Sequence, residues 1–188
     1  MIGELPTSLE VGGIQYPIRT DFRIILNIFE AFNDDELNDV EKAYVCIKCM
    51  FVDYCKIPQE HMQEAVEKAY WFCDGGDAPK QEPAKVKLLD WKHDENIIFP
   101  AINKVAGKEI REYPYMHWWT FLGLFGEVGE GLYSTVMSIR QKRAEGQKLE
   151  KWEKDFYKKN KNIIDIHSEE DKEAVKETEA FLEELLGK

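Results

Sequence analysis

Two spacings of apolar residues follow one another along the chain, and together they predict a mainly α-helical fold. Residues 9–18 alternate apolar and other side chains around Gly12-Gly13, a pair that permits the positive φ angles of a two-residue hairpin turn. From residue 20 onward, apolar side chains recur every three to four positions, which is the period of an amphipathic helix. We therefore predict a multi-helix bundle that opens with a small N-terminal β-hairpin.

Three helices are predicted in the first part of the chain. Thr20 offers a side-chain oxygen to free backbone N–H groups, which makes it the expected N-cap of the first helix. Pro58 fits the first turn of the third helix, where its missing N–H is no loss, and Asp74-Gly75-Gly76 is expected to end that helix. The three apolar stripes are Phe22, Ile25, Ile28, Phe29 and Phe32; Val40, Ala43, Tyr44, Ile47, Met50, Phe51 and Tyr54; and Met62, Ala65, Val66, Ala69 and Cys73.

Residues 74–87 form the best candidate for an internal boundary. This segment contains two glycines, two prolines and several charged residues, and it lacks any apolar period. Such a composition is typical of an exposed linker. We predict one helical domain over residues 1–164 that contains this linker, followed by an acidic segment at 165–188.

Four further helices are expected between the linker and the acidic segment. One begins near Asp90, and Pro100 is expected to kink or split it because proline removes a helical hydrogen bond. Pro114 is expected to start the next, a segment so apolar that it must be covered almost all round. The last two helices are placed at about 132–144 and 149–164.

The bulk composition favours a folded protein that binds other proteins. Hydrophobic residues make up 44% of the chain, which is enough to offset the chain entropy lost on folding. A formal net charge of -11 repels nucleic-acid phosphates and anionic lipids, so we expect neither partner. No apolar run reaches the roughly 20 residues that cross a bilayer, and residues 1–6 do not resemble a signal peptide. We expect the chain to remain in the compartment where it is made.

Side chains that could carry chemistry are present but are poorly arranged for it. Cys46-x-x-Cys49 superficially resembles a redox pair or half of a zinc site, yet a second ligand pair at matching spacing is missing. Helix-interior cysteines that act as small apolar residues are the favoured interpretation. For His93-Asp94, a surface or capping role is favoured over a proton relay, because adjacent helical positions do not face each other. We predict no catalytic residues, no metal and no cofactor.

The aromatic segment at 113–126 supports two interpretations. Aromatic runs at helical spacing usually fill protein interiors, which favours core packing. Tryptophan and other aromatic side chains also dominate binding hot spots, so part of the segment could line a groove for a partner helix. The candidate partner-binding residues are His117, Trp118, Trp119, Phe121, Leu122, Phe125, Trp152 and Phe156.

Charge is segregated near the C-terminal end. Residues 140–161 contain nine lysines or arginines against four acids, whereas residues 165–184 contain nine acids against two lysines. Solvated helix faces are the favoured interpretation, because exposed charge pairs are individually weak. The alternative is that 165–188, as an acidic helical or flexible tail, folds over the basic helix and competes with an acidic partner.

Several motifs of the chain occur together in one known family. They are Leu5-Pro-Thr-Ser with the hairpin, Tyr16-Pro-Ile-Arg-Thr-Asp-Phe-Arg23, Leu89-Asp-Trp-Lys-His-Asp94, Tyr115-Met-His-Trp-Trp-Thr-Phe121, Ser138-Ile-Arg140 and Leu149-Glu-Lys-Trp-Glu-Lys-Asp-Phe156. Over about residues 4–164 the chain resembles the bacteriophage family called gene product fifteen, from long-tailed phages and prophages of Gram-positive bacteria.

This resemblance implies a role in tail assembly. The expected function is that of a non-catalytic chaperone in the bacterial host cytoplasm, which holds the helical tape-measure protein soluble until tail-tube subunits polymerise around it. The major tail protein is a second candidate partner, and a homo-oligomer is left open. Two alternatives remain: a structural tail component, such as a completion or connector protein, and a small metal-dependent enzyme that uses Cys46, Cys49 and a histidine.

Overall fold

A computed structural model describes residues 3–77 and 87–166 of the chain, and this part is mainly helical with one small hairpin. The fold class predicted from the sequence is therefore confirmed. The hairpin consists of β1 (Ser8–Val11) and β2 (Ile14–Pro17). The α-helices of the described residues are α1 (Phe22–Phe32), α2 (Asp39–Met50), α3 (Met62–Cys73), α4 (Glu95–Ala106), α5 (Trp118–Gly126), α6 (Leu132–Ala144), α7 (Lys151–Lys159) and α8 (Lys161–Ile164).

The hairpin forms as predicted and packs against α3. Its antiparallel register pairs Val11 with Ile14 across the turn, where Gly12 and Gly13 have φ angles of 58° and 76°. These positive angles suit glycine because it has no Cβ atom. Leu9, Val11 and Tyr16 turn inward and are buried, so the alternating pattern of this segment reflects one buried face.

Helix α1 buries the predicted stripe, but its N-cap differs from the prediction. Phe22, Ile25 and Ile28 are fully buried. The cap is Asp21, whose side chain accepts a hydrogen bond from the backbone N–H of Arg23. Thr20 instead lies with its hydroxyl 2.6 Å from that of Tyr115. A carboxylate at this position accepts the free N–H groups and also complements the positive end of the helix.

Helix α2 is buried on a narrower stripe than predicted. Cys46, Ile47 and Met50 are buried, whereas Val40 and Tyr44 are exposed. Val40 and Tyr44 belong to the apolar pattern in the first turns of α2, but the neighbouring helices do not cover these side chains. Helix α3 buries the predicted residues Ala65, Ala69 and Cys73 and stops before the two glycines that follow Asp74, but it begins at Met62, so Pro58 precedes the helix and does not lie in its first turn.

Helices α4 and α5 each begin later than predicted. Helix α4 starts at Glu95 and continues through Pro100 without a break, so the expected split does not occur. Pro100 is solvent-exposed, where water can replace the hydrogen bond that proline removes. Helix α5 starts at Trp118 with His117 as its N-cap, and Pro114 lies in the preceding loop.

The C-terminal helices agree with the pattern in part. Helix α6 has the predicted bounds, but the single helix expected at 149–164 is divided into α7 and α8 at Asn160. Residues 78–86 of the predicted linker and 167–188 of the predicted acidic tail lie outside the described residues.

Two clusters of buried side chains form the core. The main cluster joins the hairpin and α1 to α5, while a second one, made of Ile97, Val136, Ile139 and Ile164, holds α6 and α8 against α4. Tyr133 packs against both clusters. The C-terminal helices are therefore attached to the main body through α4 and α6.

Candidate functional site

The motif segments at 18–23 and 115–121 lie side by side and join the two halves of the fold. The backbone N–H of Trp118 donates to the Thr20 carbonyl at 2.7 Å, and that of Phe22 donates to the Met116 carbonyl at 3.0 Å. Asp21 adds to the junction by accepting from the backbone N–H of Met116. These contacts fix the start of α1 beside the start of α5.

His117 has a structural role at this junction. Its side chain is buried, with Nδ1 accepting from the backbone N–H of Trp119 at 3.0 Å and Nε2 lying 3.0 Å from the Pro6 carbonyl. A neutral ring with its proton on Nε2 satisfies both contacts. The ring thus caps α5 and holds the segment that precedes β1.

Trp118 and Trp119 both bind the end of α3. The indole N–H of Trp118 donates to the Cys73 carbonyl at 2.8 Å, and that of Trp119 donates to the Phe72 carbonyl at 2.9 Å. Carbonyls at a helix C-terminus have no partner within the helix. Trp118 is fully buried and Trp119 is half-buried, so Trp118 offers no surface to a partner in this conformation.

The three remaining candidates on α5 continue from the core toward the surface. Phe121 is fully buried and stacks on Phe22 with ring centroids 4.8 Å apart. Leu122 and Phe125 are half-buried, and Phe125 packs on Trp91 at 5.1 Å. The structure therefore brings together six of the eight candidate residues, on α5 and at its N-cap.

The two candidates on α7 lie apart from α5. Phe156 is half-buried and packs against the second cluster. Trp152 is 57% exposed, the highest exposure of any candidate residue. Among the candidates it has the surface best suited to contact a partner directly.

A groove lies between α1 and α4. Its cavity volume is about 680 Å³. The floor is apolar, and six carboxylates line the groove. The apolar residues are Phe22, Leu26, Trp91 and Phe99, and the acidic ones are Glu30, Asp34, Asp35, Glu36, Asp90 and Glu95. We call this site the acidic groove.

The three basic residues that line the acidic groove already have partners. Arg23 pairs with Asp21 and donates to the carbonyls of Arg111 and Tyr113. Lys92 pairs with Glu30 across the groove, and Arg111 pairs with Glu109 at 2.7 Å. Two of the six carboxylates are likewise paired, Glu30 with Lys92 and Asp90 with Lys87, so the negative field in the groove comes mainly from Asp34, Asp35, Glu36 and Glu95.

A buried ion pair holds α6 to the N-terminus of α4, and the sequence patterns did not reveal it. Asp94 and Arg140 meet through two contacts of 2.6 and 2.7 Å. Of the surface or capping role expected for Asp94, the surface part was wrong, since the residue is almost fully buried; it does occupy the N-cap position of α4, although its side chain makes no capping hydrogen bond there. The arginine within the otherwise apolar face of α6 next to Val136 and Ile139 was the available signal.

Two of the four cysteines lie in the core. All four are free thiols, and Cys46 and Cys73 are buried. A hydrogen bond from Cys46, followed by burial, raises the pKa of the Cys73 thiol well above its ordinary value. A thiol with a raised pKa is a poor nucleophile and a poor metal ligand at neutral pH. Residues 3–77 and 87–166 contain no group of three or more His, Cys, Asp or Glu side chains placed to hold a metal ion.

Comparison with protein families identifies the group to which this chain is related. The model of the family described as Bacteriophage Gp15 protein matches residues 1–166. The chain belongs to this family. The resemblance found in the motifs is thereby confirmed, and the protein is phage-associated. No curated protein and no solved structure matches the chain.

The segments that resemble the Gp15 family occupy structural positions in the fold. Arg19 donates to the carbonyls of Cys49 and Phe51 at 3.0 and 2.8 Å, and so caps the end of α2. Asp21 and His117 cap α1 and α5, and Arg140 anchors α6. These segments therefore define the scaffold of the Gp15 chain, and two of them, 16–23 and 89–94, also line the acidic groove through Phe22, Arg23, Asp90, Trp91 and Lys92.

The α-helices in the described part of the chain are 4 to 13 residues long. None of them is both long enough and apolar enough to span a membrane.

Proposed function

We propose that this chain is a non-catalytic chaperone of phage tail assembly that binds the tape-measure protein. The observation that carries the proposal is the acidic groove, an apolar floor with a charged rim, on a helical protein of a bacteriophage family. Long amphipathic helices aggregate when their apolar faces are exposed to water, and a groove of this kind covers such a face.

The contacts of His93 and His117 favour a scaffold role for both side chains over a catalytic one. A general base must reach the proton that it removes, and a nucleophile needs a base beside it. His117 is occupied on both ring nitrogens by the backbone. His93 lies against the Ile163 carbonyl at 3.4 Å. Both side chains hold the fold together instead of facing an open site.

The proposed partners follow from the same role. The tape-measure protein is the client, and the major tail protein is a second candidate because it polymerises around that client. The exchange would take place in the bacterial host cytoplasm. A weak contact repeated over many copies would allow release as tail-tube subunits replace the chaperone one at a time.

Co-expression tests the proposal directly. The tape-measure protein is produced alone, with this chain, and with an unrelated acidic helical protein of similar size, and its soluble fraction is measured after centrifugation. We expect it to be soluble only with this chain and to co-purify with it. Equal solubility in all three cultures would contradict the proposal.

A second experiment, on purified virions, separates the chaperone from the alternative of a structural tail component. A chaperone is released during assembly and should be absent from purified virions by quantitative mass spectrometry. A fixed number of copies in every virion would favour a completion or connector protein instead.

A further inference from the structure

The acidic groove has a charge pattern along its length that restricts what it can bind. The ring of Phe99 packs on Phe22 near the start of α1, while Trp91 packs on Phe29 near its end. The chain from Trp91 to Phe99, which includes the start of α4, therefore runs opposite to α1 along the groove. The carboxylates of Asp34, Asp35 and Glu36 gather where α1 ends, and Arg23 and Arg111 lie at the opposite end.

The floor supplies a surface for apolar side chains. Leu26, Trp91 and Phe99 are each half-buried and keep part of their area open to the groove. A volume of about 680 Å³ accommodates several side chains but not a whole helix, since a helix with its side chains is roughly 10–12 Å across. A helix lying on the groove would insert the residues of one face only.

We propose that the acidic groove binds a basic amphipathic helix of the client protein. The apolar side chains of that helix enter between α1 and α4, and its lysines or arginines lie over Asp34, Asp35 and Glu36. This inference rests on the proposed chaperone function and names the surface that carries it. The occupant is defined by charge complementarity, because the basic residues of the groove are already paired within the protein and the six carboxylates that line the groove outnumber the three basic residues.

Two model peptides test the charge preference. One is an amphipathic helix of leucine and lysine, and the other has glutamate in place of lysine at the same length. Binding to the full chain is measured by fluorescence anisotropy at low and high salt. We expect the lysine peptide to bind with an affinity that falls as salt rises, and the glutamate peptide not to bind. Equal binding of both peptides would overturn the proposal.

Charge-reversal variants at the carboxylates after α1 test whether the peptide binds in the acidic groove; we call these carboxylates the rim. Asp35→Lys combined with Glu36→Lys reverses the charge of two exposed side chains in the loop after α1. Substitutions there should change the free energy of unfolding very little, because both side chains are exposed. The lysine peptide should bind about tenfold more weakly to this variant, since two attractive charge contacts become repulsive. The matched control is Glu60→Lys with Glu67→Lys, which changes the net charge equally away from the groove and should alter affinity less than about twofold. An equal loss in both variants would refute the location.

A substitution in the apolar floor of the acidic groove provides an independent test. Leu26→Asn keeps the charge pattern and removes an apolar contact from the groove. We expect weaker binding of the lysine peptide with an unchanged circular dichroism spectrum. Affinity that stays at the wild-type value would show that the groove is not used.

Client solubility separates failure of this inference from failure of the proposed function. If the rim variant keeps the tape-measure protein soluble as well as wild type does, the client binds elsewhere, and the inference fails while the chaperone function stands. If wild type does not keep the client soluble but the lysine peptide still binds at the rim, the chaperone function fails and the groove remains a site for basic helices. A loss of self-association in the rim variant would assign the groove to a second copy of this chain and overturn the inference.

Discussion

Asp94 and Arg140, 46 positions apart in sequence, form a two-pronged ion pair in which both side chains are almost completely buried. Arg140 also donates to the carbonyls of Leu88, Ile163 and Ile164. All five N–H groups of the guanidinium are thereby used. This pair joins α6 to the N-terminal end of α4 and fixes the end of α8 against both.

Removing Arg140 should destabilise the protein strongly. Arg140→Leu leaves the Asp94 carboxylate buried without its counter-charge, which typically costs about 3–5 kcal/mol of unfolding free energy. Urea unfolding followed by circular dichroism measures the loss. The control is Arg143→Leu, since Arg143 is 41% exposed and its pair with Asp165 should contribute less than about 1 kcal/mol. Equal stability of the two variants would contradict the structural role of the buried pair.

The tryptophans of α5 and α7 should respond differently to truncation. Trp118→Ala opens a cavity in the main cluster and should cost about 3–5 kcal/mol of stability. Trp152 is mostly exposed, so Trp152→Ala should change stability by less than about 0.5 kcal/mol. Urea unfolding of both variants checks this difference. If Trp152→Ala has the stability of wild type but no longer binds the tape-measure protein, α7 contributes to the surface that binds the client.

The turn glycines of the hairpin offer a matched pair of substitutions. Both have positive φ angles, so alanine at either position should cost about 1 kcal/mol through backbone strain. A Cβ atom at Gly12 would also lie 2.6 Å from the ring of His61, whereas one at Gly13 would meet no atom within 4 Å. Gly12→Ala should therefore be the more destabilising change in thermal unfolding.

A double variant tests the cause of that difference. His61→Ala removes the ring that the new methyl group would meet, so Gly12→Ala with His61→Ala should lose less stability than the two single changes summed. Additive losses would show that the ring moves aside without cost.

Glu109 should give the protein a specific sensitivity to acid. The guanidinium of Arg111 lowers the pKa of Glu109 from its ordinary value of 4.5 to about 2. Because the folded-state pKa is depressed, the stabilisation by this pair is complete above pH 4.5 and is lost as the pH falls toward 2. Glu109→Gln should be less stable than wild type at pH 6, and the difference should shrink between pH 5 and pH 2. Urea unfolding over this range measures it, and a constant difference would contradict the assignment.

Much of the helical framework could be predicted from residues close in sequence. The bounds expected for α6 agree with the structure, and Gly12-Gly13 predicted the turn of the hairpin. The buried face of α1 followed in the same way. Hydrophobic period and turn preference act over a few residues, so a single segment carries enough information to reveal them.

The position at which α5 begins depended on contacts between segments that are far apart in sequence. Pro114 is a good local start for α5, yet the helix begins after His117 because this ring bonds the Pro6 carbonyl and the strand-like segment at 115–117 pairs with residues near Asp21. The isolated sequence offers several possible helix starts, and the fold selects the one whose free N–H groups and buried side chains are all satisfied.

The sequence by itself determined the helical class, the hairpin and the family, because these depend on local periods and on motifs that can be read in order. Only the tertiary structure decided that Asp94 meets Arg140, that Trp118 is core while Trp152 is surface, and that Leu26, Trp91 and the carboxylates after α1 share one groove. Burial and charge pairing between distant residues depend on how the helices pack, and many packings are compatible with the same amphipathic pattern.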